Sequence, residues 1–334
     1  MESILLVNHH GIGDNIMMSP AVRALKQRSE DLKIFLLVSS EYPAIFDVWK
    51  KNPYVEQVFL SRIGFHPRFW NPAIFYLKEY PLILREARKF KRAHGIERIR
   101  VVRNQFLPEP VEKRLFFFLP FHRVDRIALE LGVRVMDYSY DLIFDESHLM
   151  AARTFLREKG FVRNDRPLLV GLHTMPSNAG GRTWPPDLVN RFARRIHDRY
   201  GALFILFHDR KSHDLERRLF RTIPDERIIV STYDGHRGLD ILTSAALISL
   251  CDIMVCVDSA IAHVASAVRV PLILLCHPKN PLKTRIPKAG KAIGADTLDY
   301  SPDLVEMLFE EARRSGWLPL AETPQDSTVR GPLC

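Results

Sequence analysis

The chain has 334 residues, 46% apolar and 26% charged, the balance of a soluble globular protein and longer than one hydrophobic core usually serves, so two domains are expected. No apolar run reaches bilayer-spanning length, and the start, Met1-Glu2-Ser3 before an apolar strand, has neither the basic region nor the cleavage site of a secretion signal, which reads as a cytoplasmic chain. The net charge of +9 is concentrated between Arg62 and Arg103, where eleven Lys/Arg face three Glu among seven aromatic residues.

In chain order, Ile4–Val7 reads as a buried strand, followed by the polar turn His9-His10-Gly11-Ile12-Gly13-Asp14 and a helix over 15–28. Strands are expected at 33–38, 55–60 and 99–102. The scheme restarts with a strand at 167–172, a polar loop 173–183 and a helix opened by Trp184-Pro185-Pro186 that runs to about Tyr200. Further strands are expected at 202–207, 227–231, 252–257 and 272–276, and a last helix at 301–315, capped by Ser301. Alternating strands and helices argue for parallel sheets covered by helices, in two Rossmann-like halves that meet at a cleft. The expected domains are 1–155 and 156–300, with 301–320 as a terminal helix and 321–334 as a disordered tail.

Ligands of such sheets bind beyond the carboxyl ends of the strands, which singles out three turns. In the first, glycines permit close backbone approach, and Asp14 opens a helix. An Asp there is most often only an N-cap, but in a cleft it can serve as a general base. The turn fails the GxGxxG and Walker patterns, against a dinucleotide dehydrogenase and a P-loop NTPase. The second turn offers the hydroxyls of Thr174 and Ser177, then Gly180-Gly181 and Arg182, able to pair with a diphosphate. The third, Asp258-Ser259-Ala260-Ile261-Ala262-His263, joins an apolar strand to a small-residue helix whose free N–H groups suit an anion. Lys279 would add a cation after the next strand. Cys251, Cys256, Cys276 and Cys334 lack metal spacing, as does the His9-His10 pair.

Gly13-Asp14 with Pro20-Ala21 in the following helix, Arg182-Thr183-Trp184-Pro185, and Asp258 to Ala267 followed by Pro271 resemble, in this order, glycosyltransferase family 9, the ADP-heptose:lipopolysaccharide heptosyltransferases. The resemblance spans residues 4 to about 281. It implies an α/β GT-B fold of two Rossmann-like domains, with a C-terminal helix crossing back to the first. It implies inverting, metal-independent sugar transfer with no cofactor, from a nucleotide-diphosphate sugar such as ADP-heptose to a lipopolysaccharide-core or related acceptor. Asp14 then matches the catalytic base, and Gly13, Thr174, Ser177, Arg182, Asp258, Ser259, Ala260, His263 and Lys279 the donor site. The chain departs in carrying Arg182 for a lysine, Ala260 for a glycine, and His9-His10-Gly11 for hydroxyl residues. Within the basic stretch, Arg88, Lys89, Lys91 and Arg92 are the expected surface for an anionic acceptor or for the cytoplasmic face of the inner membrane, against the bland reading of a solvated helix. Another nucleotide-sugar donor stays open, as does a non-catalytic nucleotide- or nucleic-acid-binding protein; a nucleic-acid partner is not expected.

Overall fold

The structure is a computed structural model that describes residues 2–63, 80–102, 122–161, 168–175, 183–208, 229–232, 238–278 and 285–318. β1 (Ser3–Asn8) is buried along its whole length, as an apolar run must be when helices cover both faces of a parallel sheet. With β2 (Lys33–Ser39), β3 (Gln57–Ser61) and β4 (Arg98–Val101) it forms a parallel sheet of order β3-β2-β1-β4. The second sheet, also parallel, has the order β10-β9-β8-β5-β6-β7. Its strands are β5 (Leu169–His173), β6 (Leu203–Leu206), β7 (Ile229–Ser231), β8 (Ile253–Val257), β9 (Leu272–Cys276) and β10 (Ala292–Asp296). The strand order reverses between β1 and β4 in one sheet and between β5 and β8 in the other, and ligand clefts open at such switch points.

Between them lie α1 (Ile12–Arg28), α2 (Ala44–Lys50), α3 (Tyr80–Ala93), α4 (Arg123–Leu131), α5 (Glu146–Glu158), α6 (Pro186–Tyr200), α7 (Ile241–Ile248), α8 (Ala260–Ala267) and α9 (Pro302–Arg314). α1 continues through Pro20, which cannot donate to the carbonyl of Ile16. The Ser19 hydroxyl donates to that carbonyl instead, at 2.8 Å, and the helix is kept. From the same helix the buried Arg23 reaches Asp141 Oδ1 at 2.5 Å and the carbonyls of Asp137 and Ser139 at 2.9 and 2.8 Å. One guanidinium thus fixes the connection between α4 and α5.

The halves share a core. One buried apolar cluster runs from Leu6, Ile34 and Leu36 through Ile16, Met17 and Val22 of α1 to Ala245, Leu247, Met254 and Val264 of the second half. α1 packs on α8, α2 on α7, and α5 on α7. A smaller cluster under α3 holds Leu5, Val7, Phe59, Ile83 and Ala87. On the far face of the second sheet, Trp184, Phe192, Phe204, Leu308 and Phe309 form another. The apolar stripe of α9, Val305, Leu308, Phe309 and Ala312, packs on α6, β9 and β10 of the second half. The carboxylates of α9 meet Arg195, Arg199 and Tyr200 of α6 on the same side. The tail 321–334 lies outside the described residues.

Candidate active site

The first turn is tied down by its own asparagines. The His10 N–H donates to Asn8 Oδ1 at 3.0 Å, and Asn15 Nδ2 donates to the carbonyls of His10 and Gly11 at 2.9 and 3.1 Å. Asn15 Oδ1 in turn accepts from the buried Trp49 Nε1 at 3.0 Å. The cap of α1 is Gly11, so Asp14 is not the cap but a residue of the first turn, where a negative charge suits the helix dipole. Its carboxylate lies 3.2 Å from Arg123 Nε, with side chains 21% and 15% exposed. Burial alone would raise the Asp14 pKa. Arg123, and after it His10, Arg285 and His263, outweigh burial and hold the carboxyl below its ordinary value, ionised at neutral pH.

The facing turn comes from the second half. Ser259 caps α8 in extended conformation, yet its hydroxyl makes no capping bond and is buried without a hydrogen-bond partner among the described residues. Ser259 thus leaves the first N–H groups of α8 uncapped, the arrangement an anion site uses. His263 is buried one turn on, and its Nδ1 has no hydrogen-bond partner among the described residues. Its ring stands edge-on to Tyr140, centroids 5.9 Å apart at 70°. Burial pushes its pKa down to about 4, so the His263 imidazole is neutral at neutral pH. Asp258 is buried beside it, and the Asp258 charge favours that of Arg285. Burial works against the Arg285 cation, but Asp258 and then Asp14 prevail and raise its pKa.

Two distances from Gly13, one to a ring and one to backbone, explain how the turns come together. A Cβ on Gly13 would lie 3.0 Å from His263 Cδ2 and 3.3 Å from the Ala260 Cα. Gly13 therefore lets α1 and α8 approach, a packing role where sequence suggested ligand contact. Thr174 is buried at the end of β5, its carbonyl accepting from the Trp184 N–H at 2.8 Å. β5 is the neighbour of β8, so Thr174 sits on the same rim as Asp258. Ser177, Arg182 and Lys279 lie outside the described residues. Arg123, Tyr140 and Arg285 join the site without having been singled out by sequence. Each lies in a connection or just past one, and a lone Arg or Tyr there carries no pattern.

Arg88, Lys89 and Arg92 are exposed on α3, away from these turns, and Lys91 is tied by its Nζ to the Glu97 carbonyl at 2.6 Å. Arg88 also lines a cavity of about 510 Å³ along β4, with Arg98, Arg100, Tyr80 and apolar residues of both elements. Among the described residues no cluster of His, Cys, Asp and Glu could hold a metal ion, and no helix is long and apolar enough to cross a membrane.

The sequence pattern of Glycosyltransferase family 9 (heptosyltransferase) matches residues 124–307, more than half of the chain. The chain belongs to glycosyltransferase family 9. Solved structures of similar fold include the family 9 glycosyl transferase of Veillonella parvula DSM 2008, at 17% identity and TM-score 0.67, covering 95% of this chain and 90% of that one. E. coli ADP-heptose lps heptosyltransferase II matches at 17% identity and TM-score 0.67, over 95% of this chain and 100% of its own. E. coli heptosyltransferase WaaC with ADP-2-deoxy-2-fluoro heptose matches at 16% identity and TM-score 0.57, over 92% and 99%. No curated protein matches the chain. The two parallel α/β sheets of this family 9 enzyme are thus those of a GT-B glycosyltransferase, and its two turns face each other across the junction where such a fold is split.

Proposed function

We propose that this family 9 glycosyltransferase transfers a sugar with inversion from a nucleotide-diphosphate donor, ADP-heptose being the first candidate. The acceptor would be a hydroxyl of a lipopolysaccharide-core or related glycan, brought by residues 1–155, with the nucleotide held by 156–300. The observation that carries this reading is the pairing of an ionised Asp14 with an uncapped helix start across one seam. Buried polar atoms without partners are costly, and Ser259 Oγ and His263 Nδ1 both lie on that seam, which supports a ligand there. E. coli WaaC was solved with an ADP-heptose analogue, which supports the choice of donor.

In this mechanism the acceptor hydroxyl attacks the anomeric carbon from the Asp14 side. The new C–O bond forms as the bond to the diphosphate breaks, the electron pair leaves on the diphosphate, and the hydroxyl proton passes to Asp14. The acceptor hydroxyl loses its proton easily only as the new bond forms, so even a weakly basic carboxylate can take it. The leaving diphosphate is met by the N–H groups of α8, the Ser259 hydroxyl and the guanidinium of Arg285, with Arg182 and Lys279 as further cations. These groups supply the charge that a divalent ion would otherwise bring, and the reaction is proposed to need no metal and no cofactor. The seam excludes water, which would otherwise hydrolyse the donor. The exposed basic face of α3 would hold an anionic acceptor or the cytoplasmic face of the inner membrane.

The test is a thermal-shift panel of ADP, UDP and GDP, followed by transfer assays with the matching sugars in the presence of EDTA. A true ligand stabilises by mass action, by about 2.7 kcal/mol at a hundredfold excess over Kd. ADP should give the largest shift and turnover should survive EDTA. A larger shift with another nucleotide replaces the donor, and a strict metal requirement defeats the mechanism.

A further inference from the structure

Tyr140 is a group at the seam that the mechanism has not used. It belongs to the connection between α4 and α5, far in sequence from either turn, and it is 5% exposed. Its hydroxyl has no hydrogen-bond partner among the described residues. A phenol that deep is normally paired, since a buried hydroxyl without a partner is costly. Nor is its position loose. The residues on either side, Ser139 and Asp141, are both held by Arg23 from α1, and the Asp141 N–H donates to the Ser19 hydroxyl at 2.9 Å. A clamp of this kind fixes the phenol against the edge of His263, one turn into α8. The Arg285 cation acts on Tyr140 as well as on Asp14 and Asp258, so a guanidinium borders the same space. An unpaired donor held beside a cation and an uncapped helix start has the chemistry of an oxyanion contact.

We propose that the Tyr140 hydroxyl donates a hydrogen bond to the diphosphate of the bound donor, closing the site from the side opposite the α8 N-terminus. This rests on the nucleotide-sugar reading given above. It makes Tyr140 a substrate-contacting residue supplied by neither sheet, and it gives the Arg23 clamp a purpose beyond packing. Binding then resolves the orphaned hydroxyl, so the empty enzyme carries a cost that the donor removes.

The experiment is Tyr140→Phe, which keeps the ring on His263 and deletes only the hydroxyl. Affinity for ADP and for AMP is measured by titration calorimetry, alongside the melting temperature of the empty protein. The empty variant should melt no lower than wild type, while ADP affinity falls about tenfold or more, the usual scale for a hydrogen bond to a charged group. AMP affinity should change much less. Equal ADP affinity in variant and wild type overturns the proposal, as does a loss seen only with the full sugar donor, which would move the contact to the sugar. Failure of wild type to bind any nucleotide diphosphate would instead sink the donor reading itself. A second readout needs no variant: ADP should slow amide exchange across 137–141 in wild type, and unaltered exchange there counts against the contact.

Discussion

Gly13 and His263 touch across the junction of the two halves: a methyl group on Gly13 would sit 3.0 Å from the imidazole edge. The neighbouring Ala260 backbone leaves no more room, at 3.3 Å. Neither obstacle is the far end of a flexible side chain, because His263 is buried against Tyr140 and Ala260 belongs to the helix start. Gly13→Ala should therefore push α1 and α8 apart. Overpacking of this kind costs about 1–3 kcal/mol, and donor affinity should fall with it because Ser259 and Asp14 separate. Urea denaturation and ADP titration read the two effects, and a variant with wild-type values for both would show that the junction yields freely.

Asp14 and Arg123 make the chemical prediction. Asp14→Asn keeps the volume and removes the base, so turnover should drop by about a hundredfold to ten-thousandfold, the range for a lost general base. ADP binding should persist, since the diphosphate is held on the other side. The depressed Asp14 pKa also sets a sign. The carboxylate stays ionised to lower pH than an ordinary aspartate, so the acid limb of kcat at ordinary acidic pH must come from other groups. Arg123→Gln removes the largest influence holding that pKa down, and burial should then shift the Asp14 titration upward. An Asp14 carboxyl titration, followed by NMR, that stays put in this variant would contradict the pairing.

Legibility in the sequence followed chemistry and run length. Ile4–Val7, 252–257 and 272–276 were readable because strands buried on both faces must be continuously apolar. Asp14 and Ser259 were readable because helix starts after such strands are where ligands meet backbone N–H groups. β10 was not, since Ala292–Asp296 is an edge strand of small, half-buried residues with no apolar run. Tyr140 and Arg285 were invisible for another reason. Tyr140 reaches the site through a connection whose path depends on a distant clamp, Arg23, whose partners lie more than a hundred positions away, and Arg285 lies in the connection between β9 and β10, where a lone Arg carries no pattern. The amphipathic stripe of α9 is the same whichever half it packs on, so its destination could not be read from periodicity.

The basic face of α3 gives a prediction independent of the seam. Arg88, Lys89 and Arg92 are exposed, whereas Lys91 is engaged with the Glu97 carbonyl near the helix end. Reversing Lys89 and Arg92 to Glu should therefore spare the fold. Each basic residue near an anionic surface is worth about 1 kcal/mol, so binding to vesicles containing phosphatidylglycerol should weaken at least about tenfold. ADP affinity should be unaffected. Undiminished vesicle binding would reduce this face to a solvated helix.

Acid should loosen the seam before it touches Asp14. His9, His122 and His263 are each pushed by burial from 6.5 down to about 4 and are neutral in the folded chain. The unfolded chain takes up a proton on each as pH falls through 6.5, so it binds more protons than the folded one between 6.5 and about 4. Stability is then full above pH 6.5 and is lost as pH falls across that window, with an upper limit of about 3 kcal/mol for each ring. His122 shows the structural cause. Its Nδ1 accepts from the Val124 N–H at 3.3 Å and caps α4, which leaves the proton on Nε2 to donate to the Ile286 carbonyl at 2.9 Å. A second proton has nowhere to go except Nδ1, where it removes the cap of the helix that carries Arg123. His122→Asn retains a capping acceptor but cannot titrate. Its unfolding free energy, followed from pH 7 to pH 4, should fall less steeply than that of wild type, by up to about 1.4 kcal/mol per pH unit. An unchanged slope would mean that the His122 ring is already solvated in the folded protein and that the seam at Ile286 opens on its own.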